Sequence, residues 1–173
     1  MIEVIIHGRG GQGVLTASQL LALSAFEGGN EVQAFPSFGA ERRGGPVHGY
    51  CRIDKKEISM RTPINKADFV LMFDEKMLKT IDIIKETIPG STIIINGKKK
   101  HFFEERKTIT YDLNSIGIKY LSKPIVNTLI IAAFAKISKS FEIQDLIKSL
   151  YKLFPKEIAD KNSKMIKEAM KVL

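Results

Sequence analysis

Apolar positions along the chain change period several times, and each change predicts an element. Ile2-Glu-Val-Ile-Ile-His7 is mostly β-branched and bounded by Gly8, which reads as a buried strand. Gly8 to Gly13 forms a glycine-rich turn. Val14 to Phe26 then places Val14, Leu15, Leu20, Leu21, Leu23 and Phe26 on a helix, stopped by Gly28-Gly29-Asn30. Glu31 to Phe35 is a short strand halted by Pro36. A polar, glycine-rich loop spans Ser37 to Pro46. Val47 to Ile53 and Glu57 to Arg61 flank Asp54-Lys55-Lys56, the pattern of a hairpin. Asp68 to Phe73 is a central strand. Glu75 to Thr87 carries Met77, Leu78, Ile81 and Ile84 at helical spacing and breaks at Pro89-Gly90. Thr92 to Ile95 is a fourth parallel-type strand, and Thr108 to Tyr111 is a further one after a charged loop at 98–107. Ile125 to Ile137 predicts a buried helix whose alanines allow close packing. Ile143, Leu146, Ile147, Leu150, Tyr151 and Phe154 form a stripe of period 3.6. Pro155 ends that helix and opens the last one, which carries Ile158, Met165, Ile166, Ala169 and Met170.

Strand and helix therefore mostly alternate. The pattern predicts an α/β fold: a single three-layer domain over 1–173 with a largely parallel sheet, a Rossmann-like start, a β-hairpin insertion and a helical C-terminal end. The length of 173 residues fits one domain, and 44% hydrophobic with 27% charged residues is ordinary for a globular protein. No apolar run approaches the ~18 residues of a membrane span. Met1 leads straight into the first strand without a basic stretch or cleavage site, so no standard secretory signal is expected. Cys51 is the one cysteine. It excludes an intrachain disulfide, and any four-cysteine zinc or iron–sulfur site must sit on another chain. A reducing, cytoplasmic setting follows, and burial as a small hydrophobe is the reading for Cys51 itself.

Net charge is +8, which raises nucleic acid as a partner. Its distribution argues otherwise. Residues 1–61 carry only +1, and the excess is mostly lysine in the second half, spread among acids. Five of six arginines (Arg9, Arg42, Arg43, Arg52, Arg61) lie in the first 61 residues. Arginine is the bidentate anion binder, so an anion site is expected near the N-terminus. No aromatic–basic interleaving supports a nucleic-acid module, and no membrane partner is expected.

Two segments concentrate chemistry. Gly8-Arg9-Gly10-Gly11-Gln12-Gly13 follows a strand and opens a helix, so its Gly8, Gly10 and Gly13 satisfy G-x-G-x-x-G. The helix N-terminus offers free N–H groups to an anion. A dinucleotide site also needs an acid at the end of the second strand, where Phe35-Pro36 stands instead. Phosphate contact, close subunit packing and a ligand-free tight turn remain open. The second segment, Phe35 to Pro46, combines Ser37, Phe38, Gly39, Glu41, Arg42 and Arg43 with further glycines and prolines. Paired guanidiniums fork onto phosphate or carboxylate, with Glu41 able to orient one; a solvated turn is the alternative. His7, His48 and His101 are far apart in sequence, and His7 and His48 read as packed or capping side chains. No nucleophile–base arrangement is evident, and no catalytic or metal-binding residue is assigned to this chain.

Together, Gly8–Gly13 and Pro36-Ser-Phe-Gly-Ala-Glu-Arg-Arg-Gly-Gly-Pro46 resemble the gamma subunits of 2-oxoacid:ferredoxin oxidoreductases, of the pyruvate and 2-ketoisovalerate branch. The resemblance extends to Ala67–Asp74, to Lys123-Pro-Ile-Val-Asn-Thr128 leading into Ala132–Lys136, and to Asn162. Gly45 departs from the alanine that many relatives have after the first glycine, and residues 113–122 are hard to align. The resemblance implies a supporting role in the coenzyme A-dependent oxidative decarboxylation of a 2-oxoacid to acyl-CoA, with electrons passed to ferredoxin. Thiamine diphosphate, magnesium and iron–sulfur clusters are then expected on partner subunits (alpha, beta and delta or their equivalents). In agreement, the chain has no Gly-Asp-Gly and no Asn-Asn pair of a thiamine diphosphate domain. The resemblance implies that the chain binds no cofactor alone and that coenzyme A is contacted in the complex. Gly8, Arg9, Gly10, Gly11, Gln12, Gly13, Ser37, Phe38, Gly39, Glu41, Arg42, Arg43, Asn127 and Thr128 are the expected coenzyme A-phosphate or subunit-interface residues. Asn127 and Thr128 alternatively cap their helix. Lys98-Lys-Lys-His101 reads as a solvated loop, or as a contact for an acidic partner such as ferredoxin. The isolated chain is expected to be inactive, with a homodimer as one form. A stand-alone nucleotide-binding Rossmann-like protein is the rival reading.

Overall fold

A computed structural model describes residues 1–36 and 45–173. Six strands make one sheet: β1 (Ile2–Arg9), β2 (Glu31–Pro36), β3 (Pro46–Asp54), β4 (Ala67–Met72), β5 (Thr87–Asn96) and β6 (Lys107–Tyr111). Five α-helices accompany it: α1 (Val14–Glu27), α2 (Leu113–Leu121), α3 (Asn127–Ser138), α4 (Ile143–Leu153) and α5 (Lys156–Ala169). The sheet order is β2-β3-β1-β4-β5-β6. β3 is antiparallel to both neighbours, while β1, β4, β5 and β6 pair in parallel. A largely parallel sheet was expected and is found, with one reversed strand.

The side-chain alternation of the strands sorts the core into two clusters. Val4, Ile6, Cys51, Ile53, Leu71, Phe73 and Ile94 face the helices, and all five helices contribute to that cluster. α3 is its centre: every residue from Thr128 to Ala135 is buried. Ile5, Val70, Met72, Ile93 and Ile95 face the other way, against Ile64, Met77 and Ile83. Among the described residues the third layer of the expected sandwich is thus irregular chain and one 3-10 turn rather than α-helix.

α1 crosses β3 closely because position 49 lacks a side chain. A Cβ on Gly49 would lie 2.0 Å from Ser18 Oγ. Leu15 and Phe26, counted in the apolar pattern of α1, point outward. Tyr151 of the α4 stripe is also exposed, where its hydroxyl donates to Asp160.

Four expectations are corrected. Glu57–Arg61 forms no strand; Val47–Ile53 instead pairs with β2 on one side and β1 on the other, so its hairpin partner is β2. The Rossmann-like start is interrupted for the same reason, since β3 separates β2 from β1. Glu75–Thr87 is no α-helix but a 3-10 turn over Glu75–Lys79. Its end is drawn into the sheet: Ala67 N–H donates to Glu86 O at 2.8 Å and Thr87 already opens β5. Pro89-Gly90, expected to break the chain, lies inside β5, at an exposed irregularity where Gly90 takes φ +83°. α2 went unassigned in the sequence. It is short and contains Gly117, where a Cβ would lie 2.8 Å from the Ile125 carbonyl as the chain turns back.

Candidate functional site

A cavity of about 660 Å³ opens at the carboxyl ends of the parallel strands. The residues after β1 (Gly11, Gln12, Gly13), after β4 (Phe73, Asp74, Glu75), at the end of β5 (Asn96, Gly97, Lys98) and after β6 (Asp112, Asn114) line it, closed by Pro124 to Asn127. This is where open α/β sheets place ligands.

The glycine turn is held by short local bonds. Arg9 N–H donates to Gln12 Oε1 at 2.7 Å, and Gln12 N–H to Arg9 O at 3.0 Å. Gly11 and Gly13 sit at φ +92° and +83°, a region that side chains disfavour. Gly13 caps α1, and a Cβ there would lie 2.8 Å from Asn127 Nδ2. The starts of α1 and α3 therefore touch. Neither helix has an acid in its first turn, so neither positive end is neutralised from within.

Three carboxylates at the wall are already matched. Asp74 lies 3.7 Å from Arg9 Nε and accepts from Lys76 N–H. Asp112 caps α2 through Ser115 N–H and lies 3.7 Å from Lys98 Nζ. Glu75 accepts from His101 Nε2 at 3.1 Å and from Lys99 N–H at 3.2 Å. The His101 hydrogen bond holds the Glu75 carboxyl below its ordinary value. Asn96 is the buried brace of the site. Its Nδ2 donates to Phe73 O at 2.8 Å, and its Oδ1 accepts from Leu113 N–H at 3.0 Å, tying β4, β5 and α2.

The expected residues divide. Gly11, Gln12, Gly13 and Asn127 line the cavity. Gly8 lies below it, where a Cβ would strike Val14 at 2.4 Å. Gly10 N–H donates to Gly45 O at 2.8 Å, and Arg9 pairs with Pro46 in the ladder. The glycine turn thus adjoins the base of the second motif. Ser37, Phe38, Gly39, Glu41, Arg42 and Arg43 lie outside the described residues. Thr128 is no surface contact: it is buried, and its hydroxyl donates to Asn162 Oδ1 at 2.9 Å, bracing α3 against α5. Asp74, Glu75, Asn96 and Asp112 were missed. Their signal was positional, since each stands at or just past the end of an apolar run.

The structure also joins two histidines that the sequence keeps apart. His7 and His48 face each other across β1 and β3 with Nδ1 atoms 2.7 Å apart, and His7 Nε2 lies 2.6 Å from Glu86. The fully buried Cys51 has its thiol pushed up to about 12 by burial. Among the described residues, no group of three His, Cys, Asp or Glu side chains is placed to hold a metal. Among the same residues, no helix is long and apolar enough to cross a membrane.

A family model described as pyruvate ferredoxin/flavodoxin oxidoreductase matches residues 3–172. Pyruvate synthase subunit PorC of Methanothermobacter marburgensis is 39% identical over 94% of this chain and 92% of its own length. The pyruvate/ketoisovalerate oxidoreductases common subunit gamma of Pyrococcus abyssi is 38% identical over 98% and 95%. The crystal structure of pyruvate oxidoreductase subunit PORC of Thermotoga maritima superposes with a TM-score of 0.83 at 28% identity, covering 98% of this chain and 95% of that one.

Proposed function

The chain belongs to the pyruvate ferredoxin/flavodoxin oxidoreductase family, and from that premise we propose that it is the gamma subunit of a pyruvate or 2-ketoisovalerate enzyme. In that complex it supports coenzyme A-dependent oxidative decarboxylation of the 2-oxoacid, with electrons leaving to ferredoxin. The whole of 1–173 acts as one gamma domain in the cytoplasm, beside alpha, beta and delta subunits or their equivalents.

One observation carries the assignment of the site. The glycine turn and the acid-free starts of α1 and α3 meet at the strand-end cavity, which suits an oxyanion such as a coenzyme A phosphate. Gly8 to Gly13 and Asn127 are the contacts proposed here, together with Ser37, Phe38, Gly39, Glu41, Arg42 and Arg43 of the second motif. Thr128 braces the helix beneath. The chain's residues do not fit an iron–sulfur cluster, because its single cysteine is buried in β3. Thiamine diphosphate, magnesium and clusters are therefore assigned to partner subunits. A dinucleotide reading is disfavoured by topology. The end of β2, where the ribose-binding acid would stand, is two strands from the glycine turn.

The test is a native pull-down of the tagged chain from its source cell, followed by a viologen assay of coenzyme A-dependent 2-oxoacid oxidation. Co-purification of iron–sulfur and thiamine diphosphate subunits with activity supports the proposal. A chain that returns alone and inactive refutes it. Arg42→Ala and Arg43→Ala should impair assembly or raise the KM for coenzyme A; two variants that assemble and turn over normally would remove those residues from the site.

A further inference from the structure

Outside the cavity, three titratable side chains stand in line on the irregularly covered face of the sheet. His7 is fully buried. One side of its ring meets His48 at 2.7 Å, Nδ1 to Nδ1, with the rings edge to face. The other side meets Glu86 Oε2 at 2.6 Å. The Glu86 side chain is 32% exposed and His48 is half-buried. The array therefore runs from a carboxylate at the surface, through a buried imidazole, to a second imidazole that reaches solvent. His48 Nε2 has no hydrogen-bond partner among the described residues.

Placing the hydrogens defines its states. An ionised Glu86 requires the hydrogen of His7 on Nε2. A neutral His7 then has a bare Nδ1, which accepts from His48 Nδ1–H. That leaves the outer Nε2 of His48 bare, an acceptor. One proton from solvent changes this atom wherever the charge settles. If the charge stays on His48, Nε2 carries the new proton. If it moves inward, His7 donates through Nδ1, His48 accepts there, and its remaining hydrogen stands on Nε2. Both arrangements give an outer N–H and a cation compensated by Glu86.

We propose that Glu86, His7 and His48 form a one-proton relay that inverts the outer nitrogen of His48 from acceptor to donor, making the start of β3 an oxyanion-binding point only when the relay is protonated. The surrounding charges favour control by Glu86. From the 75–86 segment, Glu86 and then Asp82 act on the array. On the same face of β1 and β3, Glu3 and Arg52 neutralise each other at 2.8 Å. β4 contributes the apolar Val70 and Met72, with Asp68 accepting from Glu3 N–H further along. β2 offers Gln33, held by Arg52, and Phe35. Burial works against the Glu86 carboxylate, but the hydrogen bond from His7 together with the charges of His7 and His48 holds it below the ordinary value. Burial, then His7, keep His48 below its own, with Glu86 acting against them. The position bears on the proposed site without depending on it: β3 leads from His48 back to Gly45, whose carbonyl holds Gly10 N–H.

The experiment is side-chain nitrogen NMR of the full chain's histidines from about pH 8 to about pH 5, with inorganic phosphate added at each end. A bare His48 Nε2 at the high end, a single step shared by both rings, and a His48 response to phosphate confined to the low end are expected. Glu86→Gln keeps an acceptor but removes the charge, and should lower the midpoint by about one unit or more. His7→Phe should uncouple His48. A His48 Nε2 already protonated at the high end, an unmoved midpoint in Glu86→Gln, or a phosphate response absent or equal at both ends would each overturn the proposal.

Discussion

Replacing Gly11 and Gly13 by alanine, one at a time, separates backbone strain from contact at the cavity wall. Both positions have positive φ, +92° and +83°. A side chain in the left-handed region costs about 1–2 kcal/mol. At Gly11 that is the whole effect, because a Cβ there meets nothing within 4 Å. At Gly13 the Cβ also lies 2.8 Å from Asn127 Nδ2. That atom is the tip of a flexible side chain, so Asn127 moves and gives up the bond from Thr128 N–H to its Oδ1, now 2.9 Å long. Losing such a bond adds about 0.5–1.5 kcal/mol. In a chain of this size each kcal/mol lowers Tm by about 2–4 °C. Gly11→Ala should thus cost about 2–8 °C, and Gly13→Ala a few degrees more. A double-mutant cycle with Asn127→Ala isolates the second part as a coupling of about 0.5–1.5 kcal/mol. Thermal denaturation of the four variants provides the measurement. Equal losses at Gly11 and Gly13, or no coupling to Asn127, would refute the contact between the starts of α1 and α3.

Thr128→Val keeps the volume but strands the buried Asn162 Oδ1, so urea unfolding should show a loss of about 1–3 kcal/mol while the KM for coenzyme A in the complex stays unchanged. Arg52 is buried and donates to Glu3, Gln33 and the Thr62 carbonyl. Arg52→Ala leaves those groups unpaired and should cost about 3–5 kcal/mol in the same assay. Cys51 should resist thiol reagents in the native chain at about pH 8 and react only on unfolding, given its burial and a thiol pushed up to about 12; prompt labelling would contradict that placement. His48 titrates lower folded than unfolded, so its contribution to stability is complete above about pH 6.5 and is lost as pH falls below that value. His48→Gln should flatten this part of the stability–pH profile, and an unchanged profile would assign the dependence to other groups.

The elements readable from sequence are those whose pattern is set by one dominant neighbour. β1, β4 and α3 are mostly apolar where they are buried, so Ile2–His7, Asp68–Phe73 and Ile125–Ile137 foretold them to within a residue or two. The failures share a cause. Met77, Leu78, Ile81 and Ile84 are helically spaced, yet the first three cover a sheet face while Ile84 is exposed, and the sheet claims the chain first by pairing Thr87 with Ala67. Val47–Ile53 did read as a strand, but its partners are distant in sequence. Nothing between Asp54 and Arg61 reveals that β2 and β1 take both its edges. Local spacing reports burial; it does not report which element does the burying.

The site divides along the same line. Gly11 and Gly13 announced themselves because a positive φ and a close approach both call for glycine, and each leaves its mark on one residue. Asn96 left none. An asparagine after Ile93-Ile-Ile95 looks like a turn residue, and its two hydrogen bonds go to Phe73 and Leu113, each about twenty residues away. His7 and His48 are the sharper case. Each alone, on a strand, reads as packing, and they become a pair only through the β1–β3 register. That register also sets Arg9 against Pro46 and Gly8 against Val47. A one-residue slip would turn His48 to the helix side and break the array. The contacts that align the two histidines therefore also bring the glycine turn to the foot of the second motif.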